Sequence, residues 1–249
     1  MTNPFPAAAS TLRALFAGLL EAACPTLCFG CGTRLGWPAR PALCRKCRAG
    51  IPDLGANRCL RCAAPVGPHL GEVEDCPDCR GRSLSFSGAA AAGRYEGLLR
   101  ELVLGLKNGG DWAASFVLAD LMFEAVRARG IEDADIVAAV PLHWTRRLAR
   151  GYNQADAIGR ALAKRLKRPF LPRALKKTRP TIPQRGLART ERLLNLEGAF
   201  KCPRPRKVQG LRILLVDDVL TTAATADAAA AALRLAGAES GRLAGAARA

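Results

Sequence analysis

The chain predicts an α/β protein, a parallel sheet flanked by helices behind a small cysteine-rich front. Three observations predict it. From about residue 85 onward, short apolar runs alternate with segments of helical period, the pattern of strands joined by crossover helices. The run 213–216, Ile-Leu-Leu-Val, is short and branched enough to be a strand buried on both faces. Ahead of residue 85, eight of the ten cysteines fall in four Cys-x-x-Cys pairs, a spacing that suits a metal better than oxidative crosslinking. A length of 249 residues accommodates one α/β domain of about 150 residues plus a smaller module. The expected divisions are 1–24, an amphipathic segment; 25–84, a double zinc ribbon; and 85–249, the α/β domain.

Taken in order, residues 12–23 are apolar enough to imitate a signal sequence, and Ala22-Ala23-Cys24 resembles a lipoprotein cleavage site. Glu21 stands where such a site needs an apolar residue, and Arg13 is the only charge before it, so a short amphipathic helix is the better reading. No run reaches the 18 or more apolar residues of a membrane span. With the cysteines in metal spacing, a reducing, cytoplasmic setting is expected.

The pairs are Cys28/Cys31, Cys44/Cys47, Cys59/Cys62 and Cys76/Cys79, with twelve residues between the first two pairs and thirteen between the last two. Each half can close a Cys₄ tetrahedron around Zn²⁺, and two ribbons in tandem is the first expectation, with interleaved pairing left open. A saturated Cys₄ site has no free coordination position, so both metals would be structural, replacing a missing apolar core. Nearby arginines and lysines, Arg34, Arg45, Lys46, Arg48, Arg58 and Arg61 among them, are compatible with a nucleic-acid role for the ribbons. Cys24 reads as a small buried hydrophobe. Cys202 sits in basic surroundings with no identifiable partner base.

Beyond the boundary, 89–95 reads as an opening strand, 98–106 and 112–129 as amphipathic helices, 135–140 as a strand, 152–168 as a helix, and 208–216 as the return to the sheet. A last helix, 226–236, follows a turn of small residues. The formal net charge is +17, and it is concentrated: residues 141–212 carry 20 lysines and arginines against Asp156, Glu191 and Glu197. Such a field recruits polyanions, with pyrophosphate, a sugar phosphate and nucleic acid as candidates.

The sharpest motif is 213–225, ILLVDDVLTTAAT. Asp217 and Asp218 fall at the carboxyl end of the apolar strand, where open α/β sheets hold ligands. Thr221, Thr222, Ala223, Ala224 and Thr225 form the turn into the last helix, whose free N–H groups attract an anion. A phosphate beside two acids requires those acids to face sugar hydroxyls or a divalent cation, so a ribose phosphate with Mg²⁺ explains both halves. Two alternatives compete: a Walker B strand, for which the Gly-Lys-Ser/Thr loop is missing, and a buried strand followed by an acidic turn and a threonine cap.

These residues resemble the phosphoribosyl-pyrophosphate (PRPP) signature of type I phosphoribosyltransferases, and the whole chain resembles the ComF family of bacterial competence proteins. The resemblance rests on the four cysteine pairs, LKNGGDWA (106–113), VPLHWTRRLARGYNQA (140–155), TRPTIPQRGLARTERLLNLEGAF (178–200) and 213–225. It implies a type I phosphoribosyltransferase-like sheet flanked by helices with a small N-terminal zinc-ribbon module. It implies that Asp217 and Asp218 orient ribose hydroxyls and that 221–225 bind the 5′-phosphate. A pyrophosphate loop would contain Leu142, His143, Arg146 and Arg147. A covering loop would carry Arg179, Gln184, Arg185, Arg189, Arg192 and Asn195. Lys107, Asn108, Gly109 and Gly110 form a turn shared with the family whose role does not follow from the residues. For His143 alone a packed loop histidine is the favoured reading. The family usually has Gly where this chain has Ala223, because Gly reaches positive φ and lets backbone approach a phosphate closely. The implied activity is displacement of Mg²⁺-pyrophosphate from C1 of PRPP by an acceptor that no residue pattern identifies. The alternative is a non-catalytic binder of single-stranded DNA working with the DNA-uptake machinery, although aromatic side chains for base stacking, such as Trp37, Trp144 and Tyr152, are scarce.

Overall fold

The computed structural model describes residues 22, 25–36, 42–108, 110–180, 196 and 198–249. The expected N-terminal helix, Cys24, Trp37, Gly109 and the loop residues Gln184, Arg185, Arg189, Arg192 and Asn195 lie outside the described residues. By contacts the chain divides into two compact units, Met1–Gly50 and Ile51–Ala249. The composition break near residue 85 and this contact break differ because the second cysteine set packs with the sheet.

In the first unit, β1 (Thr26–Leu27) pairs antiparallel with β2 (Arg34–Leu35), and a five-residue helix, α1 (Arg45–Ala49), follows Cys44. The second unit opens with β3 (Arg58–Cys59) beside β4 (Glu72–Val73). Its α/β part runs β5 (Ala89–Ala91), α2 (Gly97–Asn108), α3 (Trp112–Ala128), β6 (Ile136–Ala139), α4 (Trp144–Arg150) and α5 (Gln154–Leu166). Then come the hairpin strands β7 (Lys176–Lys177) and β8 (Phe200–Lys201), followed by β9 (Arg212–Leu220), α6 (Ala224–Leu235) and β10 (Ser240–Arg248). The sheet order is β5-β10-β9-β6, every pairing parallel. Helices α3 and α5 cover one face, while α6 packs on the other with the second cysteine set. This is the expected parallel sheet flanked by helices.

Two elements differ from expectation. The basic run after Pro141 is a helix, α4, and the final stretch is a strand, β10, which no sequence signal announces. β10 reads Ser-Gly-Arg-Leu-Ala-Gly-Ala-Ala-Arg, poor in the branched residues that mark strands. It sits between β5 and β9 because small side chains are what that position takes: a Cβ on Gly245 would stand 2.6 Å from Leu220 Cγ. Packing from both sides outweighs propensity here. The strand β9 also runs farther than expected, so Asp217 and Asp218 lie within it, yet its pairing with β6 ends at Ala139 and Val216. Past that point no strand among the described residues pairs with that side of β9.

Candidate functional site

Strand alternation sends Asp217 to the face shared by Ile213 and Leu215, and Asp218 to the face shared by Leu214 and Val216. Each acid meets a lysine on its own side. Lys107, at the end of α2, places Nζ 3.1 Å from Asp218 Oδ2 and 5.9 Å from the centre of the Tyr95 ring. Lys177, in the β7/β8 hairpin, acts on Asp217 electrostatically, and burial pushes its own pKa down to about 8, helped by Arg146 and Arg179. The Asp218 N–H donates to Asp217 Oδ1 at 2.9 Å. Burial and then the neighbouring Asp218 charge push the Asp217 carboxyl up, against the pull of that N–H and of the two lysines. The pair is thus a strained acidic centre flanked by cations, the kind of perturbation that marks functional sites.

The turn that follows carries the second half of the site. Ala223 has φ 54° and ψ 6°, a left-handed conformation in a non-glycine residue, where an L side chain costs about 1–2 kcal/mol. The backbone shape for which the family's glycine suits this place is therefore retained by alanine. Ala223 is also the N-cap of α6 and makes no side-chain capping hydrogen bond. The Thr222 hydroxyl is buried with no hydrogen-bond partner among the described residues. Asp217, Thr221, Ala223 and Thr225 bound a hollow of about 20 Å³, room for a water-sized group. Donors, helix start and hollow all suit an anion.

On the β6 side of β9 lies the loop after β6. His143 is buried, and its Nδ1 lies 2.8 Å from Thr145 Oγ1, at the N-cap of α4. Leu142 is half-buried, while Arg146 and Arg147 are exposed. Arg179 is exposed near the hairpin. Sequence reasoning singled out neither Lys177 nor Arg248, and it left Lys107 without a role. Their signals were present but weak: a lysine in a family turn, a lysine pair, and an arginine in an otherwise apolar final stretch.

Arg248 is 4% exposed, and its guanidinium donates to the carbonyls of Leu220, at 3.0 Å, and of Thr221. Its Nη2 lies 4.0 Å from Cys62 Sγ, so one side chain joins the 221–225 turn to a cysteine cluster. The eight paired cysteines form two groups, Cys28/Cys31/Cys44/Cys47 and Cys59/Cys62/Cys76/Cys79, each with sulfurs within 4.8 Å of one another. That is tandem pairing. Individual separations are 3.7 Å for Cys31 to Cys44, 3.6 Å for Cys62 to Cys76 and 3.9 Å for Cys59 to Cys79. A tetrahedron with zinc–sulfur bonds of about 2.3 Å requires sulfurs roughly 3.8 Å apart, so both groups fit the ion. N–H groups of Gly30 and Cys44 point at Cys28 Sγ, as a thiolate ligand favours. Among the described residues no helix is long and apolar enough to cross a membrane.

No family model matches the chain. Among solved structures it is similar to the glutamine PRPP amidotransferase of B. subtilis, at 19% identity and a TM-score of 0.35 over 51% of this chain and 24% of that one. A second likeness is to the allosteric regulatory enzyme of purine biosynthesis, at 21% and 0.36 over 53% and 26%. At those scores neither carries an argument. Sequence relatives are much better covered. The chain is 30% identical over 216 residues to competence protein F of Haemophilus influenzae, spanning 85% of this chain and 92% of that protein. It is 30% identical over 210 residues to the DNA utilization protein YhgH of Escherichia coli, spanning 81% and 87%. Against competence protein ComFC of Bacillus subtilis it is 28% identical over 196 residues, 77% of each chain. With its paired cysteines, its acidic strand end and that extent of likeness, this chain belongs to the competence protein F family.

Proposed function

We propose that the protein binds PRPP or a related ribose phosphate with Mg²⁺ at the carboxyl end of β9, and that it transfers the phosphoribosyl group to an acceptor. The observation that carries this reading is the left-handed turn at Ala223 with the unpartnered Thr222 hydroxyl at an uncapped helix start, directly after two acids. The turn would take the 5′-phosphate through N–H groups and the hydroxyls of Thr221, Thr222 and Thr225. Asp217 and Asp218 would accept from the ribose hydroxyls. Their all-oxygen donor set suits a hard divalent cation, and Mg²⁺ when bound neutralises the diphosphate. Lys107 and Lys177 hold the two carboxylates in place and add positive charge where diphosphate negative charge grows. In the transfer, a lone pair on the acceptor forms the bond to C1, and the C1–oxygen bond to the diphosphate breaks with its electrons staying on the leaving group. Arg146, Arg147 and Arg179 would receive that charge, a role supported for Arg146 and Arg179 by their electrostatic action on Lys177. Zn²⁺ in the two cysteine sets would be structural.

Calorimetric titration with PRPP, with and without Mg²⁺, tests the reading. Saturable binding is expected that weakens at least tenfold without Mg²⁺ and disappears in the Asp217→Asn/Asp218→Asn variant; absence of binding in the native chain overturns it. Asp217 must lose a proton held to about 8, so affinity should rise with pH up to that value and level off above it. In the free protein the sign is opposite. The raised carboxyl contributes stability that is complete below its unfolded value and is lost as pH climbs through about 8.

A second reading, single-strand DNA binding in DNA uptake, is favoured by the charge of +17 and its concentration in 141–212. The names of the relatives point the same way. The same Asp-to-Asn variant separates the two, since it should leave oligonucleotide binding intact or strengthen it.

A further inference from the structure

Beside the acids, a cavity of about 390 Å³ opens between the loop after β6 and the β7/β8 hairpin. Every charged residue lining it is positive: Arg147, Arg173, Lys176, Lys177 and Arg204. The rest of the wall is apolar, made by Leu142, Trp144, Leu175 and two prolines. Arg147, Arg173, Lys176 and Arg204 form no ion pair among the described residues. Among the described residues the acids in electrostatic reach are Asp156, which Arg147 and Arg173 both influence, and Asp217, which Lys177 influences. Of the described groups, five cations against two carboxylates leave the cavity positive. Trp144 is 61% exposed, presenting an indole surface at the wall. Arg173 holds a left-handed backbone, φ 57°, a cost found where a side chain must be aimed.

The location matters as much as the lining. β6 pairs with β9 up to Val216, so Pro141 and Leu142 emerge next to Asp217, and Lys177 belongs both to the cavity wall and to the surroundings of that acid. A molecule in the cavity would therefore lie next to a sugar held by Asp217 and Asp218. The volume is that of a small-ligand pocket. A nucleic-acid strand would need successive stacking rings, and Trp144 is the only aromatic residue among the described lining.

We propose that this cavity is the acceptor pocket, and that the acceptor is a small planar anion, an aromatic carboxylate, its ring on Trp144 and its charge among Arg173, Lys176 and Arg204. The inference rests on the phosphoribosyl reading. A ring fits the apolar wall, and a carboxylate answers the unpaired arginines with bidentate hydrogen bonds that a neutral amide cannot make.

The full chain should be titrated with benzoate and nicotinate against benzamide and nicotinamide, with PRPP–Mg²⁺ titrated in parallel. The acids are expected to saturate and the amides to bind at least tenfold more weakly. Arg173→Ala should weaken the acids at least tenfold and leave PRPP affinity unchanged, and Trp144→Leu should do likewise. If PRPP binds while acids and amides are indistinguishable, or neither saturates, the acceptor assignment falls alone. Saturable acid binding without PRPP binding overturns the transfer reading and, with it, the acceptor role. An oligothymidylate whose binding is abolished by Arg173→Ala and not competed by the acids would instead make the cavity a strand site, overturning the proposal.

Discussion

The two cysteine clusters have the same ligands at nearly the same spacing, yet they sit in opposite environments. In the first, Cys28 is buried, Cys44 and Cys47 are half-buried and Cys31 is exposed. In the second, all four cysteines are 1–3% exposed. The second is also fastened to the α/β part by named groups. Arg129 donates to the Leu60 carbonyl at 2.9 Å, Arg82 reaches Asp227 at 3.3 Å, the Ser85 N–H donates to Asp227 at 2.7 Å, and Arg248 touches Cys62. Asp227 lies in the first turn of α6, and Arg248 holds the carbonyls that lead into the 221–225 turn. One cluster staples a small unit of its own; the other is part of the scaffold beneath the candidate site. Equal ligand chemistry thus has unequal structural reach, decided by what surrounds it.

The comparison breaks most sharply under ligand removal. Cys62→Ser should destabilise the second unit by more than about 4 kcal/mol and, on the phosphoribosyl reading, abolish PRPP binding, since it removes one of four buried thiols that could hold a metal. Cys31→Ser should leave the melting of the α/β part and PRPP affinity unchanged, with its effect confined to hydrogen exchange in residues 25–50. Calorimetry, zinc content and exchange would read both; equal damage from the two variants would dissolve the distinction.

A smaller effect is expected from Arg248→Met. It keeps the apolar stem but takes the guanidinium donor from the Thr221 carbonyl, while the Leu220 carbonyl keeps the Ala249 N–H at 2.9 Å, a loss of about 1–2 kcal/mol. If Arg248 carries the link, PRPP affinity falls along with stability while zinc content stays at two. Loss of zinc would show instead that the arginine serves the cluster alone.

The smallest change sharpens the turn itself. Ala223→Gly relieves the left-handed strain and should stabilise the fold by about 1 kcal/mol, offset in part by glycine's greater freedom in the unfolded chain. With the left-handed turn held at less cost, PRPP affinity should rise on the phosphoribosyl reading. A lower melting temperature would show that alanine rests there without strain.

Much of the site was legible beforehand. The acids and threonines are contiguous in the chain, so their placement at a strand end and helix start follows from local pattern. The cysteine pairs were equally legible, since a knuckle is a local structure, and tandem closure needs only short connections. Lys107 and Lys177 were not legible as partners of the acids, because they lie 111 and 40 residues from Asp218 and Asp217 respectively by numbering. Arg248 was missed with β10, whose alanines and glycines carry no strand signal.

By itself the sequence determined which chemistry the chain can offer: thiolates in metal spacing, paired carboxylates, a hydroxyl-lined turn and an excess of cations. These follow from residue identity and near-neighbour spacing. Only the tertiary structure decided which cation answers which acid, which cluster is buried, and that a strand of small residues fills the middle of the sheet. Those outcomes depend on alternation across a paired strand and on close packing between distant segments, and neither is written in any local stretch of chain.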